Sequence, residues 1–301
     1  MGRHVMRLLL GVVLATGSWM GLAMSMASSA AQIECGSVVT SGASATPQAT
    51  PSTIAGVPFP DEGGTLTVFA AASLTDAFAE FAATLEDANP GLEIMIQAGG
   101  SQTLVTQLQE GAQSDVLATA NTSTMETAVE SGLVGGEAVT FTGNRLVIVT
   151  PLDNPAGIAS VDDLAGDGLI LVVANSAVPA GNYAREALCA HGELDAAPDG
   201  FVEAVSDNVA SEEEDVRNVL AKVQLGEADA GIAYASDAVA SELGGAPVTV
   251  IEFPADLPVT ASYPIAALEG GNVDLANAFI AAILSPEGQA VLAKYGFSPT
   301  L

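Results

Sequence analysis

The segment Leu66-Thr67-Val68-Phe69-Ala70-Ala71-Ala72-Ser73-Leu74 reads as a buried strand that runs straight into a helix, with a serine at the junction. Leu74, Ala77, Phe78, Phe81, Ala82 and Leu85 follow at helical spacing, and Pro90-Gly91 closes the run. Ser73 then sits where free backbone N–H groups and the positive end of a helix dipole point outward, a seat suited to an anion. Taken alone, the junction is better explained by Ser73 as a plain N-cap, with Asp76 completing a capping-box-like pair. A binding site requires the same device to recur along the chain.

From Gly64 onward strand and helix patterns alternate, the signature of an α/β chain with a mostly parallel sheet and crossover helices. Strands are expected near 66–71, 92–97, 115–119, 146–150, 169–174, 230–234, 248–253 and 264–268. Helices are expected near 74–87, 102–110, 123–131, 160–165, 181–190, 213–225, 274–284 and 286–295. Three further openings share the trait at Ser73: Gly99-Gly100-Ser101, Ser176-Ala177-Val178-Pro179-Ala180-Gly181, and Ser211-Glu212-Glu213-Glu214-Asp215-Val216. Ligands of open parallel sheets bind beyond the carboxyl ends of the strands, so these openings can converge on one cleft. Small residues at such turns are also usual in α/β proteins that bind nothing there.

The chain has 301 residues, enough for two lobes with separate cores. Arg3, His4 and Arg7 precede an apolar stretch over 8–26 and the small-residue run Ala27-Ser28-Ser29-Ala30-Ala31. Residues 1–31 are therefore expected to be a secretory signal, whose apolar stretch is also long enough for an uncleaved anchor. Residues 32–63, rich in Ser, Thr, Ala, Pro and Gly, are expected to form a disordered tether. Cys35 stands at its head, where a lipidated cysteine would stand, although Gln32-Ile33-Glu34 departs from the small residues normal before one. A free thiol and a link to Cys189 are the alternatives, while Cys189 itself reads as a small core residue.

The formal net charge of −29 comes with only seven Lys and Arg, two of them in the leader. Nucleic acid is excluded as a partner, because neutralising phosphates needs clustered cations. His191 is the only histidine beyond the leader, which leaves no basis for a zinc site or a Ser-His-Asp triad. It reads as a surface residue near a helix C-terminus. The Glu212-Glu213-Glu214-Asp215 run is expected to be a solvated helix start whose side chains point away from the cleft. Arg217, just inside that helix, is expected to pair with an acidic neighbour.

Five blocks, in order, resemble the molybdate-binding receptors of ABC importers over about residues 64–298. They are Thr67-Val68-Phe69-Ala70-Ala71-Ala72-Ser73-Leu74, Gly99-Gly100-Ser101-Gln102-Thr103-Leu104, Val178-Pro179-Ala180-Gly181-Asn182-Tyr183-Ala184, Glu214-Asp215-Val216-Arg217, and Gly231-Ile232-Ala233-Tyr234-Ala235-Ser236-Asp237-Ala238. The closing helix from Ser285-Pro286-Glu287-Gly288-Gln289 through Lys294-Tyr295-Gly296-Phe297 is similar too. The resemblance implies a two-lobed type II periplasmic-binding-protein fold, each lobe a mostly parallel sheet flanked by helices. It implies a first lobe over 64–143, a second over 144–235, and a return to the first over 236–301. It also implies that an oxyanion is held by Ser73, Ser101, the N–H of Ala180, the N–H of Val216 and the Tyr234 hydroxyl. Gly99, Gly100 and Gln102 depart from relatives, which often carry more serines there.

The implied function is a receptor on the periplasmic or extracellular face of the membrane. It would capture molybdate or tungstate without a cofactor, catalysis or a direct metal ligand, and deliver it to an ABC permease. A monomer is expected, touching the membrane only through an N-terminal anchor or lipid. A receptor for sulfate or thiosulfate, an extracellular enzyme on the same scaffold, and a tethered adhesive module are the alternatives.

Overall fold

The computed structural model describes residues 32–35, 59–60 and 63–299. The expected signal at 1–31 and most of the expected tether lie outside the described residues. The chain runs β1 (Gly64–Ala71), a 3-10 turn Ala72–Leu74, α1 (Thr75–Ala88), β2 (Leu92–Gly99), α2 (Ser101–Gln109), β3 (Val116–Ala118), α3 (Thr122–Glu130) and β4 (Val139–Thr150). A 3-10 turn Val161–Ala165 leads to β5 (Leu171–Ala174), α4 (Pro179–Gly192), α5 (Phe201–Asn208), β6 (Val209–Glu213), α6 (Val216–Gln224), β7 (Ala230–Tyr234) and α7 (Ala235–Leu243). Then come β8 (Thr249–Glu252), β9 (Thr260–Ala267), α8 (Val273–Ile283) and α9 (Pro286–Lys294).

The hydrogen-bonded strand order is β2-β1-β3-β9-β4-β7-β5-β6, with β8 also on β4. In the first half, β1 lies parallel to β2 and β3. In the second, β5 lies parallel to β6 and β7. β4 belongs to both. Its first part pairs antiparallel with β9 up to Arg145↔Thr260, and from Leu146↔Tyr234 onward it pairs with β7. The two lobes of a type II binding-protein fold are thus joined through a shared strand. β8 pairs with the distal part of β4.

Each half buries apolar residues at the expected period. On α1, Ala77, Phe78, Phe81, Ala82 and Leu85 face the sheet. Phe78 meets Phe141 of β4 and Phe279 of α8 at ring centroid distances of 5.9 and 5.6 Å. On α6, Val216, Val219, Leu220 and Val223 are buried. Among the described residues no single helix is long and apolar enough to cross a membrane; α8 and α9 reach that length only as a pair bent by 66°.

Several expectations change. β6 occupies residues expected to open a helix, because Glu212 and Glu213 are neutralised in place. Arg185 of α4 binds the first and Lys222 of α6, at 2.5 Å, the second. α5 and α7 were not expected; α5 is short and shows only Phe201 and Val205 as large buried anchors. His191 is buried, with Nε2 2.6 Å from Asp162 and its ring edge-on to Phe201.

The described ends of the expected tether are docked. Ile33 and Phe59 are buried, and the Ile33 N–H donates to Ser206 Oγ at 3.1 Å. Cys35 is joined to Cys189 of α4 by a disulfide, so neither the lipidated cysteine nor the free thiol survives, and Cys189 is not a simple core residue. Isolated anchor residues leave no periodic pattern, which is why composition reads this segment as tether.

Candidate functional site

Four strand ends or helix starts meet where the two lobes face each other. Ser73 lies in the 3-10 turn after β1 and makes no capping bond to α1. Its Oγ lies instead 2.8 Å from the Tyr263 hydroxyl, and Asp76 turns to Arg217, so the N-cap reading of this junction fails. Ser101 is the first residue of α2, and its Oγ accepts from the Ala120 N–H at 3.1 Å. Both serines are buried.

The other lobe supplies backbone. Ala180 is the second residue of α4, after Pro179, where amides have no helical acceptor. Gly181 sets that position: a Cβ there would come within 2.1 Å of the Asn175 carbonyl oxygen and 2.3 Å of that of Ala174. Any larger residue would lift the helix start off the end of β5. Val216 is the first residue of α6. The Asp215 carboxylate caps that helix by accepting from Asn218 N and Nδ2, both at 3.0 Å, and so turns away from the Val216 amide.

Tyr234 closes the set at the end of β7. Its side chain is buried, its hydroxyl lies near that of Tyr263 without good hydrogen-bond geometry, and its ring stands edge-on to Tyr263 with centroids 5.8 Å apart. Burial pushes the Tyr234 hydroxyl well above its ordinary pKa, so it stays protonated and able to donate.

Ser73, Ser101, Ala180, Val216 and Tyr234 all line one small cavity, together with Gly99 and Gly100. Its free volume is about 10 Å³. That is about the room of one water molecule. No Lys or Arg lines the space. A larger groove of about 580 Å³ lies on the second lobe beside Asp162, Asp163, Asp167 and Asp229. Two of those carboxylates are already engaged by backbone N–H groups, Asp163 by Ala159 and Ser160 and Asp229 by Ile170. Among the described residues no group of His, Cys, Asp and Glu is arranged to hold a metal ion. The small cavity, not the large groove, carries the donors.

The lobes are closed over it. Gln102 Nε2 of the first lobe donates to the Glu214 carbonyl of the second at 3.3 Å. A Cβ on Gly100 would come within 2.6 Å of that same carbonyl, so glycine is what permits this approach. Arg217 binds Asp76 across the gap and lies 3.0 Å from Asp237 Oδ1, as expected for a structural rather than ligand-contacting arginine.

Sequence reasoning did not find the polar residues beneath the cavity. Tyr263 on β9, Asn144 on β4 and Ser236 at the start of α7 form a buried chain with Ser73. Asn144 gave little signal, because it sits among Thr140, Thr142 and Arg145 in the polar first half of β4.

The profile of the bacterial extracellular solute-binding proteins matches residues 66–298. The molybdate-binding protein ModA of Mycobacterium tuberculosis H37Rv is 36% identical over 241 residues, 79% of this chain and 87% of its own. That of Escherichia coli K12 is 34% identical over 252 residues, 81% of this chain and 93% of its own. Among solved structures, the substrate-binding domain of a molybdenum ABC transporter protein from Clostridium difficile superposes with a TM-score of 0.58 at 26% identity, covering 79% of this chain and 99% of that one. By family profile, by sequence over most of its length and by fold, this chain belongs to the bacterial extracellular solute-binding proteins.

Proposed function

We propose that the protein is a non-catalytic receptor that encloses molybdate or tungstate between its lobes and passes it to an ABC permease. The observation that carries this reading is the donor set: three hydroxyls and two helix-start amides, from both lobes, facing one small cavity free of Lys and Arg. Each hydrogen bond to a charged group contributes roughly 1.5–3 kcal/mol, so about five donors support tight binding after the cost of ordering them. Helix N-termini add partial positive charge, and at moderate salt the repulsion from surface carboxylates is screened beyond about 8–10 Å.

The same chemistry selects among anions. Molybdate and tungstate are fully deprotonated near neutral pH and accept from every side. Hydrogen phosphate carries a proton that needs an acceptor, and the one carboxylate at the cavity edge, Asp215, is engaged by Asn218. An unmatched polar group in a dry cleft is penalised. Sulfate has no such proton, and cavity size alone must discriminate against it.

A melting-temperature screen against molybdate, tungstate, sulfate and phosphate tests the reading. At a concentration about 100 times the dissociation constant, ligand linkage contributes about 2.7 kcal/mol, a rise of roughly 5–10 °C for a body of this size. Molybdate and tungstate should give that rise and phosphate none. Displacement of molybdate by sulfate at comparable concentration would transfer the assignment to a sulfate receptor.

A further inference from the structure

We infer that Tyr263 and Asn144 set the polarity of the Ser73 hydroxyl, making that serine a donor into the cleft. The inference rests on the oxyanion reading above and adds two positioning residues to it. Asn144 Oδ1 accepts from the Arg145 N–H at 2.9 Å, which fixes which end of the amide is which. Its Nδ2 therefore faces two hydroxyls, Ser236 Oγ at 2.8 Å and Tyr263 OH at 3.3 Å, and donates to both. The Tyr263 oxygen, having accepted, has one hydrogen to place. Among the described residues the acceptor that meets hydrogen-bond geometry is Ser73 Oγ at 2.8 Å, the nearby Tyr234 hydroxyl making no such bond. Ser73 thus receives a hydrogen bond from below, and its own hydrogen is left for the cavity it lines.

Burial makes this ordering firm. Asn144, Tyr263 and Ser73 are 1, 0 and 3% exposed, so bulk water does not compete for any of the three hydroxyl or amide groups. Burial also pushes the Tyr263 phenol far above its ordinary pKa, so it keeps the proton it must donate. Ser101 likewise accepts a backbone hydrogen bond, from the Ala120 N–H. The chain that directs the Ser73 hydrogen is built on β4, the strand the lobes share, and on β9 paired beside it.

The test is a double-mutant cycle read by calorimetry with molybdate. Tyr263→Phe keeps the ring that packs against Tyr234 and Phe297 but removes the donor to Ser73. It should weaken molybdate binding about tenfold, since one charged-acceptor hydrogen bond loses its fixed geometry. In the Ser73→Ala background the same change should cost less than about twofold, because Tyr263 acts only through that serine. Equal losses in both backgrounds, or an affinity within about twofold of wild type for Tyr263→Phe alone, overturn the inference. Should Tyr263→Phe fail to fold, Asn144→Asp serves: it offers Tyr263 an acceptor, reverses the chain, and should weaken binding more with Ser73 present than with Ser73→Ala. Equal losses for Asn144→Asp in the two backgrounds would also overturn it. If wild-type protein binds no tetrahedral oxyanion at all, the oxyanion reading falls and this inference with it; if wild type binds and the cycle shows no coupling, only the inference falls.

Discussion

Arg217 and Asp76 form an ion pair that spans the two lobes, one partner beside the Val216 amide and the other in the first turn of α1. The pair bridges the two lobes beside the cavity without lining it. A motion that parted the lobes would break it, so it should favour their contact.

Asp76→Asn should raise the molybdate dissociation rate two- to fivefold, corresponding to about 0.5–1 kcal/mol for a pair that is partly exposed on both sides. Arg217 keeps Asp237, so the melting temperature without ligand should hardly move. Stopped-flow release measured at two salt concentrations checks both points. An unchanged rate would mean the pair has no part in holding the lobes together.

Tyr234→Phe removes a buried hydroxyl that makes no hydrogen bond of good geometry within the described protein. The unliganded protein should keep or slightly raise its melting temperature, while molybdate affinity falls about tenfold. A drop in unliganded stability would place the hydroxyl in the core and outside the site. Ser73→Ala should cost one to two decades of affinity by the same accounting of a lost donor to a charged acceptor.

Asp237 is buried, and desolvation raises its pKa from 3.8 to about 6 despite the nearby Arg217 guanidinium. Asp76, Asp215, Arg217 and the Tyr234 N–H face it. A carboxyl raised on folding binds its proton more tightly in the folded state than in the unfolded one. Its contribution to stability is thus fully present below about pH 3.8 and is lost as pH rises toward about 6. Asp237→Asn should remove that loss, giving a flatter pH dependence between those values and a higher melting temperature at pH 7. Urea titrations at pH 4.5 and pH 7 on both proteins would show it; parallel curves for the two would refute it.

The Cys35–Cys189 disulfide closes a loop of 154 residues and lies on α4, away from the cavity. Cys35→Ser should lower the melting temperature, with a loss of about 2–5 kcal/mol, and leave molybdate affinity within about twofold. Under denaturing conditions without reductant, the wild-type protein should show no thiol reactive to maleimide.

How the site reads from sequence follows from the range of its contacts. Ser73, Ser101, Ala180 and Val216 each sit at a junction encoded within a few residues, where an apolar run meets a helix pattern. Such local order is visible in the chain. Tyr263 is not, because its role depends on β9 lying against β4, a pairing made more than a hundred residues apart in sequence. The acids at 212–213 mislead for a related reason. A charged run suggests a solvated helix start until Arg185 and Lys222, placed by other elements, turn it into a strand. The disulfide, likewise, joins residues whose neighbours carry no sign of each other.

β4 leaves no slack between its two ladders: Arg145 is the last residue paired to β9 and Leu146 the first paired to β7. Relative motion of the halves must be absorbed as torsion within a strand that stays bonded on both sides. Such a joint lets the halves swing apart and resists their sliding past each other. On the oxyanion reading, a motion that parted the halves would draw Ser73 and Ser101 away from the Ala180 and Val216 amides together, so a bound ion would lose both sides of its grip at once.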